Sequence, residues 1–298
     1  MNSPNKIGEQ RPAFGFTDAE LAAMPTVYRD DVLTGQVVLV TGGGSGIGKG
    51  IAILCARLGA DVVICGRDEA KLAATSHVIE AATGRRPFAQ AMSIREPEQV
   101  DALLDAVFDR FGRLDHLVNN AGGQFPQDAI DFSRKGWLAV IDLNLNGTWW
   151  MTQGAAHRWR ERGQPGNILS IVANVERGMP QAAHTCAARA GVIYLSKTLA
   201  TEWAPLNIRV NCVAAGVIES EGFRVYPAEA LERFHDANPM KRRGDVWDVA
   251  EGCVYLMAPS GDFITGEMLV IDGGQAQNGA VWPAGRPDWF GGVKPNGY

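Results

Sequence analysis

The chain has 298 residues, 46% hydrophobic and 20% charged, a composition typical of a globular protein with a sizeable core. Its net charge of −5 argues against nucleic acid as a partner. No apolar stretch approaches the roughly 20 residues that a membrane span needs, and residues 1–12 lack the apolar core of a signal peptide, so we expect a cytoplasmic protein without a membrane span. The five cysteines are scattered and odd in number, which predicts free thiols and no bound metal.

Secondary structure is predicted in chain order. Residues 1–35 form an N-terminal extension that is polar and aperiodic apart from a short capped helix after Thr17. The predicted strands are 37–40, 62–65, 87–91, 114–118, 167–172, 208–213 and 268–271, and the predicted helices are 47–58, 69–82, 97–111, 133–162, 183–204 and 246–257. Because apolar strands that alternate with helices form parallel sheets covered on both faces, the sequence predicts a doubly wound α/β domain over residues 36–274.

Two segments depart from this alternation. Residues 217–245 form a long, charged stretch that follows a strand, at the edge of the sheet where substrate loops are inserted, so we predict a substrate loop. Its basic run Lys241, Arg242 and Arg243 is either a contact for phosphate groups or a solvated charge cluster. Residues 275–298 are rich in Gly, Pro and Trp, and we expect this C-terminal tail to lie over the surface or a neighbouring subunit.

The segment 41–48 reads Thr-Gly-Gly-Gly-Ser-Gly-Ile-Gly and lies between an apolar strand and an amphipathic helix. Glycines allow a sharp turn and a close approach to phosphates, and the helix N-terminus offers unpaired N–H groups with a partial positive charge. The pattern in this context predicts that the turn binds the pyrophosphate of a dinucleotide. The predicted ligands are Gly42, Ser45, Gly46, Ile47 and Gly48.

The end of the second predicted strand indicates which dinucleotide binds. An acidic side chain about 20 residues beyond the glycine turn would bind the ribose diol of NAD. Here the strand ends in Gly66, followed by Arg67, and a guanidinium makes charge-assisted hydrogen bonds to a 2′-phosphate. Asp68 is a competing diol ligand, but its position predicts the N-cap of the next helix. The sequence therefore favours NADPH, with Arg67 on its 2′-phosphate.

Further motifs follow the glycine turn in a fixed order: Asn119-Asn120-Ala121-Gly122, Asn144-Leu145-Asn146-Gly147, Ala215-Gly216-Val217-Ile218 and Ile271-Asp272-Gly273-Gly274. Together they resemble the short-chain dehydrogenase/reductase family over residues 35–275. The resemblance implies a Rossmann-type, seven-stranded parallel sheet, a nicotinamide cofactor, and an active-site helix supported by Asn144. It also implies further cofactor contacts at Ser93, Ile94, Asn120, Ala121, Gly122, Arg189, Gly216, Ile218 and Ser220.

The catalytic serine, tyrosine and lysine of that family are missing, since the matching positions hold Val172, Thr185 and Arg189. Arg189 can bind the nicotinamide ribose but cannot relay a proton, because guanidinium does not deprotonate. Ketone reduction needs a proton at the forming alkoxide, whereas reduction of a C=C bond conjugated to a thioester needs donors that stabilise an enolate. His184 adjoins the expected active-site rim and titrates near neutrality, although a structural role at the helix start is an equal alternative. The predicted catalytic residues are Asn144, Thr185, His184 and Arg189.

Segments 119–125, 133–137 and 184–192 resemble the enoyl-CoA and 2,4-dienoyl-CoA reductases, which implies an acyl-CoA substrate. The alternatives are a carbonyl or alcohol oxidoreductase that acts on a hydrophobic substrate such as a terpenoid, and a catalytically silent assembly partner. Helices 97–111 and 183–204 resemble those that pair subunits in the family, so we expect a homodimer or homotetramer. Tyr194 is placed off the catalytic face.

Overall fold

A computed structural model describes residues 14–225 and 228–277, and its centre is a parallel sheet of seven strands. The described residues form nine strands, seven of which belong to this sheet. They are β1 Val37–Thr41, β2 Asp61–Gly66, β3 Phe88–Ala91, β4 His116–Asn119, β5 Gly166–Ala173, β6 Ile208–Ala215, β7 Ile218–Glu219, β8 Gly244–Asp245 and β9 Met268–Ile271. The sheet order is β3-β2-β1-β4-β5-β6-β9, while β7 and β8 form a separate parallel pair. This is the predicted doubly wound Rossmann topology.

Helices cover both faces of the sheet. They are α1 Asp18–Ala23, α2 Gly46–Arg57, α3 Glu69–Thr83, α4 Pro97–Phe111, α5 Arg134–Ile141, α6 Gly147–Arg162, α7 Ala183–Trp203, α8 Ala228–Arg233 and α9 Val246–Met257. In β1, Val38 and Val40 pack in a core with α2 and α9, whereas Val37 and Leu39 pack in a second core with α4 and α6. Every position of β1 is buried, which explains its uninterrupted apolar run.

The predicted helix 133–162 is two helices, because a π-helical turn at Asp142–Asn146 separates α5 from α6. Asn144 lies in that turn and is buried. The predicted strand 114–118 is also displaced and begins at His116. The carbonyl of Leu114 accepts a hydrogen bond from the indole N–H of Trp159 at 2.7 Å, so this residue is tied to α6 before the strand begins.

The described part of the N-terminal extension packs on the outside of α2 and α9. Thr17 and Glu20 form the capping box that starts α1, as the sequence predicts. Beyond α1, the Trp247 indole donates to the carbonyl of Pro25 at 3.0 Å, and the Tyr28 hydroxyl donates to that of Glu251 at 3.0 Å. These bonds hold residues 14–35 against the domain. Of the predicted C-terminal tail, residues 278–298 lie outside the described residues.

The substrate loop predicted at 217–245 has its two ends joined, since Ile218 of β7 pairs with Gly244 of β8.

All five cysteines are free, as predicted. Within residues 14–225 and 228–277 every helix is too short or too polar to cross a membrane, and those residues bring together no group of His, Cys, Asp and Glu side chains that could hold a metal ion.

Buried His116 makes stability depend on pH. Its Nδ1 accepts from the Asn167 amide at 3.0 Å, and its Nε2 faces the Gln36 side chain. Burial, with a smaller contribution from Arg209, lowers its pKa from 6.5 to about 4. Between pH 4 and pH 6.5 the unfolded chain binds a proton at this ring that the folded chain does not, so protonation favours unfolding. The contribution of neutral His116 to the stability of the fold is therefore complete above pH 6.5 and is lost as the pH falls towards 4.

We therefore expect the free energy of unfolding to decrease by about 2–3 kcal/mol across this range. Urea titrations at several pH values, together with an NMR titration of the His116 ring, measure both quantities. An NMR pKa of His116 near 6.5 would contradict the prediction.

Candidate active site

The glycine turn between β1 and α2 has the backbone geometry that phosphate binding requires. Gly42 and Gly46 have φ angles of 68° and 54°, in the left-handed region that favours glycine. A Cβ on Gly42 would lie 2.9 Å from the Nδ2 atom of Asn120 and 3.0 Å from the Cα of Ala121. Glycine at position 42 therefore lets the turn pass close to the chain that follows β4, and α2 begins directly after this turn.

Thr41, the last residue of β1, organises the start of this turn. Its hydroxyl oxygen accepts from the backbone N–H groups of Asn120, at 3.0 Å, and Ala121, at 2.9 Å. The Asn120 side-chain amide in turn donates to the Thr41 carbonyl at 2.9 Å. Thr41 is a site residue that the sequence analysis missed, although a polar residue in an apolar strand just before a glycine turn was the available signal. Asn120 shapes the turn through its side chain.

The expected adenosine end lies at the carboxyl ends of β2 and β3. Arg67 is exposed, and its guanidinium has no hydrogen-bond or ion-pair partner within the described part of the chain. Asp68 accepts from the Lys71 backbone N–H at 3.1 Å and caps α3, so the predicted N-cap is confirmed. Ser93 is half-buried, and Ile94 is buried. Arg67 is thus the cation at this end that is open to a phosphate.

At the other end of the cleft, Arg189 reaches from α7 to the loop after β4. A Cβ on Gly122 would collide with the Nη2 atom of Arg189 and would lie 3.0 Å from the Oδ1 atom of Asn144. Burial lowers the pKa of Arg189 to about 10, while the Cys212 thiol acts in the opposite direction, so the guanidinium stays charged at neutral pH. It has no ion-pair or hydrogen-bond partner among the residues that the structure describes. A half-buried, unpaired cation here fits the ribose of a dinucleotide.

Asn144 braces the same loop from the π-helical turn. Its Nδ2 donates to the Gly123 carbonyl at 2.9 Å, its Oδ1 accepts from the Gly123 N–H at 3.0 Å, and its own carbonyl accepts from the Thr148 hydroxyl at 3.0 Å. The side chain is therefore committed to the protein backbone. This agrees with the supporting role that the family resemblance implies for Asn144.

His184 and Thr185 lie side by side at the start of α7, and both are buried. The His184 Nδ1 accepts from the Thr185 backbone N–H at 2.7 Å, which places the ring proton of the neutral imidazole on Nε2. Burial lowers the pKa of His184, so the ring is neutral at pH 7. Phe125 and Phe132 enclose it, with centroids 4.7 and 4.4 Å from that of the imidazole. The ring is thus buried between two aromatic side chains at the start of α7.

Residues that follow β6 form a further side of the cleft. A Cβ on Gly216 would lie 2.7 Å from the Cα of Asp272, and Ile218 is buried. The Ser220 side chain faces the N-terminus of α2, since a Cβ on Gly46 would lie 3.6 Å from its Cβ. Ser220 and Gly46 thus face each other across the start of α2.

Tyr194 and the basic run of the substrate loop have partners within the protein. Tyr194 is 70% exposed on α7, and the Lys197 ammonium lies 5.2 Å from the centre of its ring. The basic run in the substrate loop forms ion pairs within the protein: Lys241–Asp236 at 3.3 Å, Arg242–Asp248 at 2.7 Å and Arg243–Glu219 at 3.2 Å. Neither interpretation of this run, as a phosphate contact or as a solvated charge cluster, included these ion pairs.

The family model described as enoyl-(acyl carrier protein) reductase matches residues 33–276. A peroxisomal 2,4-dienoyl-CoA reductase from Danio rerio is 35% identical over 264 residues, covering 87% of this chain and 87% of the relative. A probable 2,4-dienoyl-CoA reductase from Bacillus subtilis (strain 168) is 36% identical over 248 residues, covering 82% of this chain and 97% of the relative. The crystal structure of 3-ketoacyl-(acyl-carrier-protein) reductase from Brucella melitensis complexed with NADH has 33% identity and a TM-score of 0.76, covering 82% of this chain and 99% of that one.

The chain belongs to the short-chain dehydrogenase/reductase family, as the motifs in its sequence predict. It is an oxidoreductase, and the cleft at the glycine turn is the place where this family holds a nicotinamide dinucleotide.

Proposed function

We propose that this oxidoreductase uses NADPH to reduce the C=C bond of a 2-enoyl- or 2,4-dienoyl-CoA thioester. The observation that carries the proposal is a dinucleotide cleft in which Thr185 and an unpaired Arg189 stand where the family has its tyrosine and lysine. Two relatives at 35% and 36% identity are named 2,4-dienoyl-CoA reductases, which supports the substrate class.

Different residues of the cleft bind different parts of the dinucleotide. The N–H groups at Gly46 and Ile47 would hold the pyrophosphate, because the helix dipole of α2 favours negative charge at this end. Arg67 binds the 2′-phosphate, and Arg189 binds the nicotinamide ribose. When bound, NADPH supplies a hydride to a carbon of the substrate double bond, and the enolate that results takes its proton from water.

Substrate reduction also requires hydrogen-bond donors for the thioester oxygen, where negative charge collects. Thr185 provides a hydroxyl that is a far weaker acid than a phenol, which suits hydrogen bonding better than proton delivery to an alkoxide. The Nε2–H of His184 has no acceptor among the described residues, and it becomes available to the substrate when Phe125 and Phe132, which cover the ring, move aside. We assign His184 and Thr185 to the oxyanion. Arg189 and Asn144 position the cofactor and the loop after β4.

A panel of NADPH with enoyl-CoA, dienoyl-CoA, ketone and aldehyde substrates, followed by absorbance, tests the proposal. Carbonyl reduction is the second candidate, since the 3-ketoacyl reductase from Brucella melitensis shares 33% identity with this chain. Turnover confined to ketones or aldehydes would favour that candidate.

The cytoplasmic location stays a prediction, because some relatives are named peroxisomal.

We also propose that the chain forms a homodimer or homotetramer through α4 and α7, on the analogy with the family. Light scattering at micromolar concentration is expected to give two or four times the chain mass of 32.0 kDa. A mass equal to that of one chain would contradict this proposal.

A further inference from the structure

A cavity of about 280 Å³ lies between the N-terminal extension and the glycine turn. Residues 14–18, which we call the strap, form one wall, and the opposite wall includes Gly46, Lys49 and Ser220. Gly46 and Ser220 are both predicted dinucleotide ligands. The cavity therefore borders the path of the bound cofactor, on the side that faces the strap.

Lys49 brings a cation into this cavity from the first turn of α2. Its side chain is only 12% exposed, and its ammonium forms an ion pair with the carboxylate of Asp18 in the strap. Asp18 is 42% exposed and is thus the more accessible partner. A lysine at this place adds its full charge to the partial positive charge of the helix N-terminus, where phosphate groups bind.

The strap is fixed on both sides of Asp18, so the carboxylate is held in place. Before it, the Gly15 N–H donates to a carboxylate oxygen of Glu219 at 3.2 Å, and the Phe14 ring packs against Phe223 with centroids 5.7 Å apart. After it, the Thr17–Glu20 capping box sets the start of α1.

We propose that Lys49 is a further ligand for the cofactor pyrophosphate and that Asp18 competes with the pyrophosphate for it, so that the strap tunes cofactor affinity. The inference rests on the proposed binding of a dinucleotide at the glycine turn. A pyrophosphate carries more negative charge than one carboxylate, and the Lys49 side chain is only 12% exposed, so water screens this cation less than it screens one on the open surface. Asp18 lowers the affinity because it neutralises a cation that the pyrophosphate would otherwise meet.

Fluorescence titrations of the full chain with NADPH and with NADH test this inference. Lys49→Met is expected to raise Kd about three- to tenfold, and Asp18→Asn to lower it about two- to fivefold. Both nucleotides contain the pyrophosphate, so each substitution shifts the two Kd values by the same factor. Asp31→Asn is the matched control, because it removes the same charge from an exposed pair with Arg29, and it should leave both Kd values unchanged.

An unchanged Kd in Lys49→Met would overturn the inference, and so would weaker binding in folded Asp18→Asn. Lys49→Arg keeps the cation and is expected to bind within about twofold of the parent protein, which tests the charge even if Lys49→Met fails to fold. A parent protein that binds neither nucleotide would overturn the proposed function itself. A parent protein that binds while its variants bind equally well would overturn the role of Lys49 and Asp18 alone.

Discussion

Replacing Arg189 by alanine is expected to lower kcat/KM by about a hundredfold or more. The guanidinium lies against Gly122, where a Cβ would collide with it, and it has no partner in the described residues. Its removal leaves the nicotinamide ribose without a cation and opens space beside it. The nicotinamide ring is then no longer held at a fixed distance from the substrate. Steady-state kinetics with the best substrate of the panel measures the effect.

Two further variants make this prediction specific. Arg189→Lys retains the charge but not the planar fork, so an intermediate loss is expected. Tyr194→Phe is the control, since that ring is 70% exposed on α7, and its kcat/KM should stay within about twofold of the parent value. A large loss in correctly folded Tyr194→Phe would show that the catalytic face of α7 has been misassigned.

Arg67→Ala is expected to raise the Kd for NADPH about tenfold or more, because it removes a charge-assisted contact with the 2′-phosphate. The Kd for NADH should change little, so most of the preference for NADPH disappears. Isothermal titration with each nucleotide measures both values. Arg86→Ala, which removes an exposed arginine paired with Glu80, is the control. Equal affinity of the parent protein for NADPH and NADH would refute the assignment of Arg67.

Much of the fold follows from local sequence patterns. The seven strands and the helices between them were predictable because buried parallel strands read as short apolar runs, and because Thr17 and Asp68 are N-caps that act within one turn. The glycine turn was predictable for the same reason, since its function requires glycines that are neighbours in sequence.

Features that depend on distant residues could not be predicted in this way. The enclosure of His184 depends on Phe125 and Phe132, which α7 meets only in the folded chain. The basic run of the substrate loop is paired because Glu219 and Asp248 lie beside it once β7 and β8 pair. The ion pair of Lys49 with Asp18 likewise joins the N-terminal extension to α2.

Product analysis is the most direct test of the proposed reaction. The protein is incubated with NADPH and a 2,4-dienoyl-CoA or a 2-enoyl-CoA, and the acyl product is identified by mass spectrometry while oxidation of NADPH is followed. We predict one NADPH oxidised for each acyl chain that gains two hydrogens, with no hydroxyl group formed. Turnover of ketones to alcohols at high efficiency, with no change in either thioester, would contradict the proposed function.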